Sequence, residues 1–200
     1  MKRAFCFGSL FLIVFLFYSC KTPPKAPPPS VIIPQTILGS GKASRNVMAA
    51  FLTQANPSVN AKDALDFAAL YIEEAGAEGV NHDVAFAQMC VETGFLNFGG
   101  LVTPDMHNYC GLGSIGPGTP GERFPSPRMG VRAQIQHLKA YATNAPLNKE
   151  LADPRYHLVK RGSASSIDDL AGKWAADPDY AKKIKRVLTR LYTFRRNVSF

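Results

Sequence analysis

Glu92 is the residue whose sequence surroundings most favour acid catalysis. It follows a segment, residues 84–91, that is apolar except for Gln88. Apolar surroundings and the negative end of a helix dipole both disfavour a charged carboxylate and raise its pKa. A general acid needs a carboxyl group that stays protonated near neutral pH. These surroundings make Glu92 a candidate catalytic acid and Gln88, one turn earlier, a candidate for the lining of the same cleft. A solvent-exposed glutamate at a helix end is the commoner case and the alternative that spacing alone favours.

The other reactive residues give weaker signals. Cys90 could act as a nucleophile with His137 or His157 as its base. It lies within the apolar segment, however, where a small buried side chain is expected. The remaining histidines, His82 and His107, complete a set of four that shows no spacing typical of metal ligands. The sequence therefore predicts no metal and no other cofactor.

Helix caps and apolar periodicity predict a mostly helical domain around Glu92. A loop-rich insert, residues 101–127, is crowded with glycine and proline and can hold a short β-hairpin but no long helix. The predicted fold class is all-α, in a single domain. The predicted helices cover residues 45–54 after Ser44, 61–75 after Asn60, 82–93 after Asn81, 131–141, 167–174 after Ser166, and 178–194 after Asp177.

The N-terminus is typical of an export signal followed by a tether. Lys2 and Arg3 precede an uncharged apolar stretch that is too short for a comfortable membrane span and suits a secretory signal. Ser19 before Cys20 resembles the lipobox of bacterial lipoproteins, in which the signal is cut before a cysteine that carries lipid. A proline-rich spacer comes next. We predict a signal peptide at 1–19, a lipidated Cys20 with a linker at 20–39, and a domain at 40–200.

These features predict a lipid-anchored membrane protein of the cell envelope. Lys21 follows Cys20 directly and supplies no aspartate-type retention signal, so outer-membrane placement is expected in a two-membrane bacterium. Secretion with an incidental Cys20 is the alternative.

The net charge of +8 is unevenly distributed. Residues 123–200 carry 16 basic and 6 acidic side chains, whereas residues 20–122 carry 5 basic and 9 acidic ones. The basic final helix lacks the aromatic interleaving of a nucleic-acid module, so no nucleic acid partner is expected. A solvated helix face, or attraction to a carboxylate-bearing polymer, explains the charge.

Several blocks of sequence together resemble glycoside hydrolase family 73, the peptidoglycan-cleaving endo-β-N-acetylglucosaminidases of the lysozyme-like superfamily. Residues 90–95 (Cys-Val-Glu-Thr-Gly-Phe) resemble the end of the catalytic helix, and residues 108–113 (Asn-Tyr-Cys-Gly-Leu-Gly) resemble the turn that follows it. The resemblance continues through residues 121–126 and 130–138. It ends at residues 174–181 (Trp-Ala-Ala-Asp-Pro-Asp-Tyr-Ala) and implies a lysozyme-like fold.

The resemblance also implies roles for individual residues. Glu92 would be the general acid, and Tyr180 would help to stabilise the reacting sugar. Asn108 would support the turn under the catalytic helix or touch an N-acetyl group, with the structural role favoured. Cys90 and Cys110 would lie close together, either as a disulfide or as separate thiols.

A second carboxylate and the sugar-stacking residues are less sharply defined. Glycosidases usually pair an acid with a base or nucleophile, and Glu122 is preferred over Asp105 because it lies inside a matching block. Alternatively, the 2-acetamido group of the substrate serves as nucleophile and no second acid is needed. Tyr109 and Phe124 lie in loops and are predicted to bind sugar, whereas Trp174 is predicted to be a core residue.

The expected function is endo-acting hydrolysis of peptidoglycan glycan strands by a monomer, at the GlcNAc-β-1,4-MurNAc bond. The choice of bond comes from the resemblance alone. Muramidase or lytic transglycosylase activity, a non-catalytic peptidoglycan-binding module and a Cys90-dependent amidase are the alternatives.

Overall fold

The computed structural model describes residues 30–114, 116 and 118–198. Over this part of the chain, five α-helices form, and strand pairing is limited to isolated bridges. The prediction of a mostly helical single domain is confirmed. The expected hairpin is reduced, in the described part of the insert, to one bridge between Gly116 and Thr119. The helices are α1 Arg45–Ala55, α2 Ala61–Glu78, α3 His82–Thr93, α4 Pro127–Ala142 and α5 Tyr180–Asn197.

Side-chain caps start the first three helices where the sequence predicts them. The side-chain oxygens of Ser44, Asn60 and Asn81 each accept backbone N–H groups of the first turn. The predicted end of α2 at residue 75 is too early, because the helix continues past Gly76. It ends at Gly79, whose φ of 73° is a left-handed conformation that glycine adopts without strain.

The last two helices begin at other residues than predicted. α4 starts a turn earlier than residue 131, because the Ser126 side chain caps it and Pro127 occupies its first position. α5 starts at Tyr180 rather than at residue 178. Asp177 still orders the approach to α5, since its Oδ1 accepts the N–H of Asp179 at 2.8 Å.

The helix predicted over residues 167–174 is absent. Only a 3₁₀ turn, Asp168–Leu170, forms there. Gly172 takes a φ of 77°, and its N–H donates to the carbonyl oxygen of Ala175 at 2.8 Å. This reversal of the chain carries Trp174 out of any helix.

α3 is the buried centre of the domain. Its residues 83–90 are all buried, and α2, α4 and α5 all contact it. Tyr71 of α2, Ile135 of α4 and Leu188 of α5 are fully buried in the same apolar cluster as α3. Each large apolar side chain buried in this way contributes about 1.5–3 kcal/mol. The core therefore fixes the position of α3 and of Glu92 at its end.

Buried charges anchor the ends of two helices. Asp83, fully buried at the start of α3, accepts hydrogen bonds from the Lys42 N–H at 2.6 Å and the Tyr192 hydroxyl at 2.7 Å. Glu78, at the end of α2, accepts a hydrogen bond from the ammonium of Lys139 in α4 at 2.7 Å. Partners of this kind offset the large cost of burying an isolated charge.

The folded domain begins before residue 40. Ile37 is fully buried, and its N–H donates to the Ser165 carbonyl oxygen at 3.0 Å. Val31 and Ile33 also pack against the main apolar cluster. Residues 31–39, predicted as part of the linker, therefore lie on the domain.

The predicted signal peptide at 1–19 and the lipid site at Cys20 lie outside the described residues. Among the residues that are described, no helix has both the length and the apolar composition needed to cross a bilayer.

Candidate active site

A cleft of about 900 Å³ opens at the C-terminal end of α3. Three segments border it: the turn after α3, the turn that contains Asn108, and the turn that contains Trp174. Its lining consists of residues 92–94, 98–102, 108, 110, 111, 114 and 174–176. We name it the Glu92 cleft, because Glu92 is the one acidic side chain among these lining residues.

Tyr180 and Trp174 hold the Glu92 carboxyl group. The Tyr180 hydroxyl, buried at the first residue of α5, donates a hydrogen bond to Oε1 of Glu92. The same hydroxyl accepts a hydrogen bond from Nε2 of Gln88 at 3.0 Å. The Trp174 side chain provides a further hydrogen bond to the Glu92 carboxyl. These contacts fix the direction in which the carboxyl points, as positioned acid catalysis requires.

The protein raises the pKa of Glu92 above its ordinary value. Desolvation is the largest cause, and it is opposed by the hydrogen bonds from Tyr180 and Trp174 and by the charge of Lys183. The Glu92 residue is nevertheless exposed at the mouth of the cleft, so water reaches a side chain that protein surrounds on its other sides. Burial, with the charge of Glu92 nearby, also raises the pKa of Tyr180. That hydroxyl therefore keeps its proton and remains a donor.

The cleft wall that follows Glu92 has a left-handed backbone. Phe95, Leu96 and Phe98 have φ values of 60°, 63° and 54°. This region costs a residue with a side chain about 1–2 kcal/mol, and such strain clusters at functional sites. Phe98 lines the Glu92 cleft, so the strained segment shapes the surface that meets a ligand.

Side chains from three helices hold this wall in place. Oγ1 of Thr93, in α3, accepts the N–H of Leu96 at 2.8 Å and donates to the carbonyl oxygen of Met89 at 2.8 Å. Nδ2 of Asn56, which caps the end of α1, donates to the carbonyl oxygen of Phe95 at 2.8 Å. From α5, the Arg190 guanidinium lies 5.1 Å from the centre of the Phe95 ring. The strained turn is therefore tied to the helical core.

Asn108 organises the opposite wall. Its Nδ2 donates to the carbonyl oxygens of Leu112 and Glu122 at 2.9 and 3.0 Å, and its Oδ1 accepts the N–H of Leu112 at 3.0 Å. The polar atoms of this fully buried side chain are thus occupied by hydrogen bonds that hold the turn together, which is the structural role favoured for Asn108. The turn brings Gly111 so close to the acid that a Cβ there would lie 3.6 Å from Oε2 of Glu92.

Neither candidate for the second carboxylate lines the Glu92 cleft. Glu122 lies behind the turn: a Cβ on Gly113 would be 3.0 Å from its Oε1, and Nη1 of Arg155 is 3.7 Å from that atom. Asp105 is exposed and pairs with Nη1 of Arg123 at 2.7 Å. Hydrogen bonds from Thr103 and Arg123 lower the pKa of Asp105 to about 2. Glu122 therefore packs against the turn that borders the cleft, but neither carboxylate is part of the surface that a ligand would touch.

Three predicted substrate-binding residues lie elsewhere. Gln88 is fully buried and contacts the site only through Tyr180. Tyr109 is buried against Phe67, with ring centroids 4.7 Å apart. Phe124 is buried in a small cluster under the insert. The long insert needs apolar side chains to hold it together, so these two rings pack inward instead of meeting sugar.

The sequence predicts Trp174 to be a core residue, but the structure places it at the cleft. It is half-buried, lines the Glu92 cleft and packs edge-on against His137 at 5.0 Å. The available signal was Gly172, which ends helical structure two residues earlier. Phe98 and Ser114 also line the cleft, but no pattern in the sequence singles them out.

The thiols and histidines do not form a reactive centre in the described residues. Cys90 and Cys110 are free and buried, so the disulfide is not formed. Burial raises the pKa of the Cys90 thiol, whereas a nucleophile needs its thiolate. Across the described chain, no group of three or more His, Cys, Asp or Glu side chains is arranged to hold a metal ion.

A mostly helical domain that holds a glutamate of raised pKa against a buried tyrosine, at the end of its central helix, has the kind of acid site expected of a glycoside hydrolase. Residues 68–193 match the glucosaminidase family, described as mannosyl-glycoprotein endo-beta-N-acetylglucosaminidase. The match covers more than half of the chain and includes α3, the insert, α4 and most of α5. The protein belongs to this family of glycoside hydrolases, which confirms the resemblance found in the sequence.

A relative from Borreliella burgdorferi extends the comparison. This curated protein, described as an uncharacterized protein, is 40% identical over 158 residues, which cover 79% of this chain and 78% of the relative. The two chains therefore correspond over most of their lengths. No solved structure matches the chain.

Proposed function

We propose that this protein is an endo-acting hydrolase of peptidoglycan that cleaves the GlcNAc-β-1,4-MurNAc bond with Glu92 as general acid. The observation that carries the proposal is the Glu92 carboxyl itself. It lies in an open cleft, has a raised pKa and is held by the Tyr180 hydroxyl. Membership of the glucosaminidase family supports a glycan substrate, and peptidoglycan is the polymer that the family implies.

In the proposed reaction, Glu92 gives its proton to the glycosidic oxygen as the bond to the anomeric carbon breaks. The carboxylate formed at that moment is stabilised by the donors already aimed at it, the Tyr180 hydroxyl and the Trp174 side chain. Such preorganised donors favour the transition state because the charge on Glu92 is larger there than in the ground state.

The 2-acetamido group of the substrate is the proposed nucleophile. Its carbonyl oxygen bonds to the anomeric carbon while the leaving sugar departs. Water then opens this cyclic intermediate, giving its proton to the Glu92 carboxylate. The cleft lining, in which Glu92 is the one acidic residue, supports this route.

Digestion of purified sacculi tests the reaction. Mass spectrometry of the fragments should find reducing GlcNAc ends, and the variant Glu92→Gln should release none while still binding sacculi. Anhydro-muramyl or reducing muramyl ends would assign the enzyme to the other linkage. Unchanged release by Glu92→Gln would refute the role of this residue, and an inactive wild-type protein that binds sacculi would be a binding module.

The role of Glu122 is tested separately. If the acetamido group is the nucleophile, Glu122→Gln should keep most of the rate, because the neutral side chain preserves the turn. A loss as large as that of Glu92→Gln would make Glu122 the second catalytic carboxylate.

We further propose that the chain is exported and anchored to the cell envelope by lipid on Cys20, which keeps the catalytic domain near its insoluble substrate. The basis is the sequence around Cys20 and the proline-rich spacer after it. Radiolabelled palmitate should be incorporated into the wild-type chain and not into Cys20→Ala, and that variant should leave the membrane fraction. Equal labelling of both would contradict the anchor.

A further inference from the structure

A chain of hydrogen bonds runs through the core and ends at the catalytic acid. The Tyr71 hydroxyl donates to Oε1 of Gln134 at 2.6 Å, and Nε2 of Gln134 donates to Oε1 of Gln88 at 2.9 Å. Nε2 of Gln88 donates to the Tyr180 hydroxyl at 3.0 Å, and that hydroxyl donates to Oε1 of Glu92. The first four side chains are all buried. Polar groups are costly at such positions unless each one is paired.

A backbone carbonyl fixes the direction of the whole chain. Nε2 of Gln134 also donates to the carbonyl oxygen of Ala85 in α3, at 2.9 Å. A carbonyl oxygen can only accept, so the amide of Gln134 must turn its NH₂ group toward α3. With the opposite orientation, two acceptor oxygens would face each other. Both N–H groups of Gln134 are then used, one for Ala85 and one for Gln88.

The orientation of the Gln134 amide determines the direction of each later hydrogen bond in the chain. Oε1 of Gln88 faces the NH₂ group of Gln134, so the NH₂ group of Gln88 must face Tyr180. The Tyr180 oxygen accepts that bond, which leaves its single proton for Oε1 of Glu92. Oε1 therefore accepts the Tyr180 proton, and the carbonyl oxygen of a carboxylic acid is its better acceptor. This favours a protonated Glu92 whose proton lies on Oε2, the oxygen next to Gly111 in the cleft.

We propose that Gln134 is a positioning residue, which transmits the orientation of the Ala85 carbonyl through Gln88 and Tyr180 so that the acid proton of Glu92 lies on Oε2, facing the substrate. This inference rests on the proposed role of Glu92 as general acid. Gln134 touches no ligand surface, because it is fully buried and does not line the cleft. Its effect on the reaction passes entirely through the two side chains between it and Glu92.

The groups that face Glu92 from each neighbouring element are few. α5 contributes Tyr180 and the more distant charge of Lys183, and the turn before α5 contributes the Trp174 side chain. The Asn108 turn contributes the buried Cys110 thiol, whose pKa is raised by burial and by the charge of Glu92. Of these groups, Tyr180 is the one that the Gln134 chain reaches, so a change at Gln134 should act on Glu92 through Tyr180.

The test measures the Glu92 carboxyl directly. In the full chain labelled with ¹³C at glutamate carboxyl groups, the Glu92 signal is assigned by its loss in Glu92→Gln and titrated by NMR. In Gln134→Met, Gln88 is free to turn its oxygen toward Tyr180, which then donates to Gln88 instead of Glu92. We expect the titration midpoint of Glu92 to move to higher pH. We also expect kcat on sacculi to fall by about 10- to 150-fold, as for loss of a hydrogen bond to a charged group.

Two further variants separate this role from simple structural support. Tyr71→Phe removes a buried hydrogen bond from the same Gln134 amide but leaves the Ala85 contact that orients it, so the Glu92 midpoint should stay at the wild-type value. Gln134→Glu keeps the shape and covers the case in which Gln134→Met fails to fold. Its buried carboxyl, protonated because burial raises its pKa, donates to Ala85 and accepts from Gln88. This reverses the chain, so the midpoint should again rise.

The outcomes are distinct from those that test the function. An unchanged Glu92 midpoint in both Gln134 variants, or an equal shift in Tyr71→Phe, would overturn the proposal even if the wild-type enzyme cuts sacculi. Conversely, an inactive wild-type protein would refute the glycosidase, while the NMR titration would still report whether Gln134 controls the carboxyl.

Discussion

Tyr180→Phe is the substitution that most directly tests how the protein positions the Glu92 carboxyl and sets its pKa. It removes one oxygen atom from a residue that is almost fully buried and keeps the ring that packs at the start of α5. Two hydrogen bonds disappear: the one received by Oε1 of Glu92 and the one given by Nε2 of Gln88. The Gln88 N–H is then buried without an acceptor, which should lower the free energy of unfolding by about 1–3 kcal/mol.

The effect on the rate follows from the lost bond to Glu92. A hydrogen bond to a charged group contributes about 1.5–3 kcal/mol, and the Glu92 carboxylate carries its charge in the transition state. The expected loss in kcat is therefore about 10- to 150-fold. The variant should also have a higher Glu92 pKa, because the Tyr180 bond lowers it in the wild type. A general acid loses activity as pH rises through its pKa, so the alkaline limb of the pH profile should move to higher pH.

The assay is the initial rate of sacculus solubilisation as a function of pH, with unfolding followed by circular dichroism. Tyr192→Phe is a matched control, because Tyr192 is buried on the same helix and its hydroxyl donates to the buried carboxylate of Asp83 at 2.7 Å. The control should lose stability and keep the wild-type pH profile. If Tyr180→Phe keeps wild-type kcat and pH dependence, or if Tyr192→Phe loses as much activity, the argument from the Tyr180 hydroxyl is refuted.

Four other predictions concern the Glu92 carboxyl, two glycines and the buried thiols. Glu92→Gln should gain thermal stability relative to the wild type as pH rises above about 4, the ordinary pKa of a glutamate, and through the raised pKa of Glu92. The folded state raises the pKa of Glu92, so ionisation weakens the wild-type fold alone, and a pH-independent difference in Tm would contradict this. Gly130→Ala should destabilise by about 1–3 kcal/mol or more in urea, since its Cβ would lie 1.8 Å from the His107 carbonyl oxygen. Gly76→Ala, in open space on α2, should instead stabilise by about 0.5–1 kcal/mol. Iodoacetamide should label peptides containing Cys90 and Cys110 only after unreduced protein is unfolded, and a disulfide-linked peptide would disprove the free thiols.

Neighbouring residues were sufficient to predict a helix where a capping residue is followed directly by the apolar residues that the helix buries. Asn81 caps α3, and the apolar run after it is buried on all sides, so both the helix and the place of Glu92 at its end follow from neighbouring residues. The prediction failed for residues 167–174, where Ser166 forms a cap with Asp169 but Gly172 ends the structure after one turn. A cap predicts where a helix begins, whereas its length depends on residues further along the chain.

The predictions for the site failed where they depended on packing between distant segments. Loop position suggested that Tyr109 and Phe124 are accessible, yet each is buried by residues far away in sequence. The hydrogen bond between Gln134 and Gln88 joins α4 to α3, and no residue spacing within either helix predicts it. Periodicity shows that a residue faces inward, but it does not identify the partner that it meets there.

Thr93 links the helix end that carries Glu92 to the cleft wall that follows it. Its hydroxyl ties the last turn of α3 to the left-handed segment that leads to Phe98, and Glu92 is its immediate neighbour. A displacement of Phe98 would therefore be passed through these hydrogen bonds to the helix end that carries Glu92. The alignment of the Glu92 carboxyl would thus depend on where the cleft wall stands.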